Sequence, residues 1–210
     1  MPVKTSYIFV GDSIVYGIGD FEQNGWTSMF KNKMINLDQN SLYCSNYVHI
    51  AAYPGGTSSD IVQRISSILG AFASSATNNE IILSIGVNDT QTIDGKQKVD
   101  LETFRNNIIK IIENSRKVEN SNITILGLTR IGSEQPFEFK PGKSLSNDTI
   151  NKYDLELEKI CKEEQVSYVK MSDALEYSDY VDKLHPSNQG HKKIFGRVLS
   201  KIKEREDNQR

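Results

Sequence analysis

Residues 8–17 read IFVGDSIVYG, an apolar run that stops abruptly at Gly11-Asp12-Ser13. Tyr7 to Val10 are β-branched or aromatic without a polar break, the pattern of a strand buried on both faces. Glycine then bends the chain, and Asp12 or Ser13 suits the cap of a following helix by accepting its first free N–H groups. A serine carried on such a strand-to-helix turn is also a candidate nucleophile. The tripeptide alone does not choose between cap and nucleophile, so the reading passes to the rest of the chain.

Five short runs carry the strand pattern: Tyr7 to Val10, Tyr47 to Ala51, Ile81 to Ile85, Ile123 to Leu126 and Ser167 to Lys170. Between and after them, apolar residues recur at helical spacing. They are Ile61, Ile65, Ile68, Leu69 and Phe72; Leu101, Phe104, Ile108 and Ile111; Ile150, Tyr153, Leu157 and Ile160; and Ile194, Val198 and Ile202. Strand and helix in alternation predict an α/β fold with a parallel sheet of about five strands, covered on both faces. At 210 residues one domain over 1–210 is expected, with the charged segment Lys201 to Arg210 as a frayed tail.

In such a sheet every loop that follows a strand emerges at the same edge, where ligands of open α/β sheets bind. Those loops carry Gly11-Asp12-Ser13, Pro54-Gly55-Gly56-Thr57, Gly86-Val87-Asn88-Asp89, an irregular stretch from Arg130 to Ser144, and Asp182-Lys183-Leu184-His185-Pro186. A serine hydroxyl attacks an ester poorly unless an imidazole takes its proton while a carboxylate holds the other ring nitrogen. Ser13, His185 and Asp182 are the residue types for those three roles, and Asp182 is three residues from His185, within reach of one turn. Gly55 suits a backbone donor to a developing oxyanion, because it lets a substrate approach closely, and Asn88 suits a side-chain donor.

These blocks resemble those of the SGNH hydrolases, also called GDSL esterases or lipases: Gly11-Asp12-Ser13, Gly55 before Thr57-Ser58, Gly86-x-Asn88-Asp89 and Asp182-x-x-His185-Pro186, in the family's order from Phe9 to about Ile194. The resemblance implies a flavodoxin-like three-layer α/β/α sandwich. It also implies Ser13 as nucleophile, His185 as base, Asp182 as its partner, and an oxyanion hole from the Ser13 backbone, Gly55 and Asn88. Ile14 stands for the usual leucine. The second block reads Ile50-Ala51-Ala52 ahead of Tyr53-Pro54-Gly55-Gly56, where the family often opens with Asn-x-Gly, so the choice between Gly55 and Gly56 stays open.

The expected activity is hydrolysis of a small-molecule ester through an acyl-enzyme, with no cofactor. Within the family a lipase, thioesterase or lysophospholipase is the alternative. Outside it stands a non-catalytic flavodoxin-like module that cradles an anion at a helix N-terminus, a reading that leaves the Asp182 and His185 pair without a task. A compact acyl group is expected, because Phe137 and Phe139 in the 130–144 loop are interspersed with Arg130, Glu134, Glu138, Lys140 and Lys143.

Composition excludes other classes. Lys plus Arg number 25 against 27 Asp plus Glu, scattered along the chain, which is no footprint for nucleic acid. No stretch approaches the roughly 20 apolar residues of a membrane span. The N-terminus has no room for a signal peptide ahead of the first motif, so a cytoplasmic location is expected. No G-x-G-x-x-G or Walker loop follows the first strand. His191 lies six residues beyond His185, a poor spacing for one metal ion, so no metal is expected. Cys161 falls in a helical apolar stripe and reads as a core residue rather than a disulfide partner for Cys44.

Overall fold

The computed structural model describes residues 4–38 and 46–208. Cys44 lies outside them. The chain begins with β1 (Thr5–Gly11), a four-residue helix α1 (Ser13–Tyr16), α2 (Trp26–Asp38) and β2 (Asn46–Ala52). It continues with α3 (Ser58–Phe72), β3 (Asn78–Ser84), β4 (Thr92–Ile93), β5 (Lys96–Gln97) and α4 (Leu101–Ser115). The last part comprises β6 (Ser121–Leu126), β7 (Phe137–Lys140), β8 (Lys143–Leu145), α5 (Asn147–Glu163), β9 (Ser167–Val169) and α6 (Asn188–Asn208).

The five strands read from the sequence form one parallel sheet in the order β2-β1-β3-β6-β9. Alternation along each strand sorts its side chains to two faces. Ile8 and Val10 of β1, with Ile81 and Leu83 of β3, pack under α3, α4 and α5. Tyr7 and Phe9, with Ile82, pack under Trp26, Phe30 and Met34 of α2 and Ile194, Val198 and Ile202 of α6. Phe9 meets Trp26 and Phe30 edge-on at 5.1 and 5.0 Å between ring centroids, a geometry that aromatic quadrupoles favour. This is the expected α/β arrangement, a five-stranded parallel sheet flanked by helices.

The chain leaves β1 toward β2 and returns to place β3 on β1's other side, so the loops after β1 and β3 diverge from a central crevice. Ligands of open α/β sheets bind at such a switch of strand order. β1 and β3 approach closely there: a methyl group on Gly11 would stand 2.2 Å from the Ser84 carbonyl oxygen, so only glycine fits.

Three features depart from expectation. The 130–144 stretch is not irregular, because β7 and β8 pair antiparallel and join β4 and β5 in a separate four-stranded sheet of order β5-β4-β8-β7. Phe137 and Phe139 are half-buried against the core, while Glu138 and Lys140 are exposed. Helix α2 has no counterpart in the sequence reading. Helix α6 runs through 201–208, the segment expected to fray, and Ile202 on it is buried.

Candidate active site

The site is built from turns at the carboxyl ends of β1, β2 and β3 and from the loop before α6. At the first turn Asp12 caps α1, its Oδ1 accepting from the Ile14 N–H at 2.9 Å, which fixes Ser13 as the first helical residue. Ser13 Oγ lies 3.1 Å from His185 Nε2, across 172 residues of sequence. His185 Nδ1 lies 2.7 Å from Asp182 Oδ2. The other oxygen, Asp182 Oδ1, accepts from the backbone N–H groups of Leu184 at 3.0 Å and His185 at 2.7 Å, so one carboxylate holds both the ring and its loop. Burial pushes this carboxyl up, but hydrogen bonds from the His185 ring and from the His185 and Leu184 backbone outweigh it and hold it below the usual range.

The loop is tightly turned rather than helical. Lys183, between Asp182 and Leu184, has φ 68°, a left-handed conformation that costs a non-glycine residue of order 1 kcal/mol. Contacts on both sides hold it there. Its carbonyl accepts from Gly132 N–H at 2.7 Å, its ammonium lies 5.0 Å from the Phe137 ring centroid, and Val181 N–H donates to the His185 carbonyl at 3.0 Å.

At the second turn Gly55 is exposed with φ 76°, and its N–H has no hydrogen-bond partner among the described residues. Gly56 N–H is already given to the Tyr53 carbonyl at 2.8 Å, so of the two glycines Gly55 alone offers an available donor. Lys98 Nζ donates to the Gly55 carbonyl at 3.2 Å. At the third turn, Val87 to Thr90 form one turn of 3₁₀ helix. Asn88 there donates from Nδ2 to the Gly56 carbonyl at 3.0 Å and faces Asp12 Oδ2 at 3.3 Å, so it ties the three turns together.

Two buried carboxylates flank Asn88. Desolvation drives Asp12 up to about 7 against its hydrogen bond from Ile14, with Asp89 adding repulsion. Burial drives Asp89 up to about 6, partly offset by the Ser58 backbone and hydroxyl, which donate to it. Asn107 in turn donates to Ser58 Oγ at 3.0 Å. Behind the first turn Asp12, Ile14, Val87, Leu128 and Met171 line a cavity of about 10 Å³.

The four sequence-predicted elements, Ser13, Asn88, Asp182 with His185, and the Gly55 turn, thus stand at one edge. The remaining two histidines and the described cysteine lie elsewhere. His49 in β2 stacks on Phe72 with 4.6 Å between centroids, His191 is buried in α6, and Cys161 is buried in α5, its thiol pushed up to about 12 by desolvation. Among the described residues no cluster of three or more His, Cys, Asp or Glu is arranged to hold a metal ion, and no helix is long and apolar enough to cross a membrane. Sequence reading missed Gln91 and Lys98. Gln91 was findable, because it stands at i+3 from Asn88 and a 3₁₀ turn eclipses positions i and i+3.

Comparison with known proteins bears on the family and the fold. The chain matches the family model of the GDSL-like lipase/acylhydrolase family over residues 9–193. Among curated proteins, none matches it. It is similar in fold to a lipolytic G-D-S-L family protein of Veillonella parvula, with 17% identity, coverage of 93% of this chain and 97% of that one, and a TM-score of 0.70. An acetylxylan esterase of Geobacillus stearothermophilus gives 18% identity, 96% coverage of each chain and a TM-score of 0.68. A psychrotrophic esterase of a Pseudoalteromonas species gives 15% identity, coverage of 97% and 99%, and a TM-score of 0.71. The matched region takes in every turn described above, and the chain belongs to the GDSL-like lipase/acylhydrolase family as a serine ester hydrolase.

Proposed function

We propose that the chain hydrolyses esters of compact acyl groups through an acyl-enzyme on Ser13. The supporting observation is the continuous line from Ser13 Oγ to His185 Nε2 at 3.1 Å and from His185 Nδ1 to Asp182 Oδ2 at 2.7 Å. With the ring proton on Nδ1 and directed at Asp182, Nε2 presents its lone pair to the serine hydroxyl. As Oγ attacks the carbonyl carbon, its proton passes to Nε2 and the carbonyl oxygen becomes an oxyanion. That oxyanion takes hydrogen bonds from the Ser13 and Gly55 N–H groups and from Asn88 Nδ2, whose long contact with Asp12 is the one it displaces. The alcohol leaves with the proton from Nε2. Water then attacks the acyl-enzyme by the same route and frees the acid and Ser13.

The compact-acyl reading rests on what surrounds the nucleophile. Phe137 and Phe139, the aromatics best suited to an apolar trough, pack against the core, with the Lys183 ammonium over Phe137. The acetylxylan esterase of similar fold is a precedent for a small acyl group, acetyl on xylan. The test is a series of p-nitrophenyl esters from acetate to palmitate, run with wild type, Ser13→Ala and His185→Ala. The expected result is the highest kcat/KM at the short end and near-complete loss in both variants with circular dichroism unchanged. A kcat/KM that climbs steadily to palmitate overturns the compact-acyl reading, and a folded Ser13→Ala that still hydrolyses acetate overturns the nucleophile.

A further inference from the structure

Asn88 can serve an oxyanion only if its amide is held with nitrogen, not oxygen, toward the nucleophile. A terminal amide rotates readily by half a turn, which exchanges donor for acceptor. Asn88 sits on a short 3₁₀ turn, so its orientation must come from its hydrogen-bond partners. On the nitrogen side both partners, the Gly56 carbonyl and Asp12 Oδ2, are acceptors, and Asp12 ceases to discriminate once its oxygen carries a proton. On the oxygen side stands one donor: Gln91 Nε2 lies 2.8 Å from Asn88 Oδ1.

We propose that Gln91 is a positioning residue for this ester hydrolase, fixing the Asn88 amide so that Nδ2 faces the oxyanion. Gln91 is itself well anchored. Its side chain is buried, and its carbonyl accepts from Lys98 N–H at 2.7 Å where the β4–β5 hairpin closes. The same hairpin end sends the Lys98 ammonium to the Gly55 carbonyl, so one small element outside the parallel sheet steadies the supports of both donors. This gives the antiparallel sheet a task in the reaction: its hairpin holds the backbone of the residue that sets the sense of the amide.

The inference rests on the oxyanion role given to Asn88 above, and the experiment separates the two. Gln91→Met keeps length and volume but offers no donor, so Asn88 Oδ1 is left buried without one and the amide spends most of its time out of the orientation that serves the oxyanion. With p-nitrophenyl acetate kcat is expected to fall roughly 5- to 50-fold with KM little changed, always less than the roughly 10²–10³-fold loss expected for Asn88→Ala. In the Asn88→Ala background the same change should cost less than about twofold, since it acts only through that amide. Gln91→Glu supplies a second readout. As a carboxylate it cannot donate to Asn88 Oδ1, but as a carboxylic acid it can, so its kcat relative to that of Gln91→Met should rise as pH falls. Division by the Gln91→Met rate at each pH removes the titration of the base and of Asp12. Wild-type kcat in Asn88→Ala overturns the oxyanion reading. A large loss in Asn88→Ala beside an unaffected Gln91→Met, a Gln91→Met effect undiminished in the Asn88→Ala background, or a flat Gln91→Glu ratio overturns the positioning role alone.

Discussion

Replacing Asp182 with asparagine separates two ways in which a carboxylate can help an imidazole. The first is by charge. The Asp182 side chain is 53% exposed, and a solvated ion pair of this kind contributes about 0.2–1 kcal/mol, no more than about fivefold in rate at 1.36 kcal/mol per decade. The second is by choosing the tautomer. Asparagine at 182 keeps an oxygen for the Leu184 and His185 N–H groups, so the loop holds, but it points an NH₂ at His185 Nδ1 where a carboxylate oxygen stood 2.7 Å away. The ring must then accept at Nδ1 and carry its proton on Nε2, facing Ser13 Oγ as a donor where a base is needed. On that account kcat for p-nitrophenyl acetate falls by roughly 10³–10⁴, with KM and the circular dichroism spectrum nearly unchanged. Asp182→Ala, which frees the ring without inverting it, should lose less than the asparagine variant. A loss of only about fivefold in Asp182→Asn, or a greater loss in the alanine variant, would refute tautomer selection and leave Asp182 as a surface charge.

Two predictions concern the fold that carries the site. His191 is buried with Nδ1 accepting from Trp26 N–H at 3.4 Å and Nε2 donating to the Ile18 carbonyl at 3.0 Å, and burial depresses its pKa below 6.5. Below that pH the unfolded chain takes up a proton that the folded one refuses, so this residue's contribution to stability declines as pH falls through 6.5. Urea unfolding should therefore show His191→Gln destabilised at pH 8 by a margin that narrows by pH 5, and a constant margin would contradict the assignment. Phe30 is fully buried against Tyr7 and Phe9, each 5.0 Å away between centroids, so Phe30→Ala should lower the unfolding free energy by about 3–5 kcal/mol, and a cost under 1 kcal/mol would mean that this face of the sheet repacks freely.

What could be read from the sequence was what residue type alone encodes. Ile81 to Leu83 are apolar without interruption because both their faces are covered, and that pattern survives without any knowledge of partners. The turns at Ser13, Gly55, Asn88 and His185 were legible for the same reason, since each ends a strand or precedes a helix and carries side chains that a plain turn does not require. Helix α2 escaped because its buried Trp26, Phe30 and Met34 recur only at every fourth position, with Lys31, Asn32 and Lys33 between the last two, a stripe too narrow to stand out. The second sheet escaped because its strands are two to four residues long, although two signals were present. Asp94-Gly95, both at positive φ, is a hairpin dipeptide, and Phe137-Glu138-Phe139-Lys140 alternates with period two before Pro141-Gly142. The choice between Gly55 and Gly56 was beyond reach, because it turns on which N–H the Tyr53 carbonyl has already taken.

The left-handed Lys183 bears on how such an enzyme can be re-engineered. Loops at the edge of an α/β sheet are commonly treated as exchangeable parts, grafted to change substrate range while the catalytic frame stays put. Here the residue between Asp182 and Leu184 is kept in its uncommon conformation by Gly132 N–H on its carbonyl and by the Phe137 ring beneath its ammonium. Both grips belong to the 130–145 segment, the part a designer would replace first. A transplanted hairpin that lacked them would release the backbone just ahead of His185 and let the imidazole drift from Ser13, so loss of turnover in a chimera would report a slackened base rather than a poorly shaped pocket. A graft that keeps Gly132 and an aromatic ring at 137 retains the tether, and the two positions together mark where the exchangeable module ends.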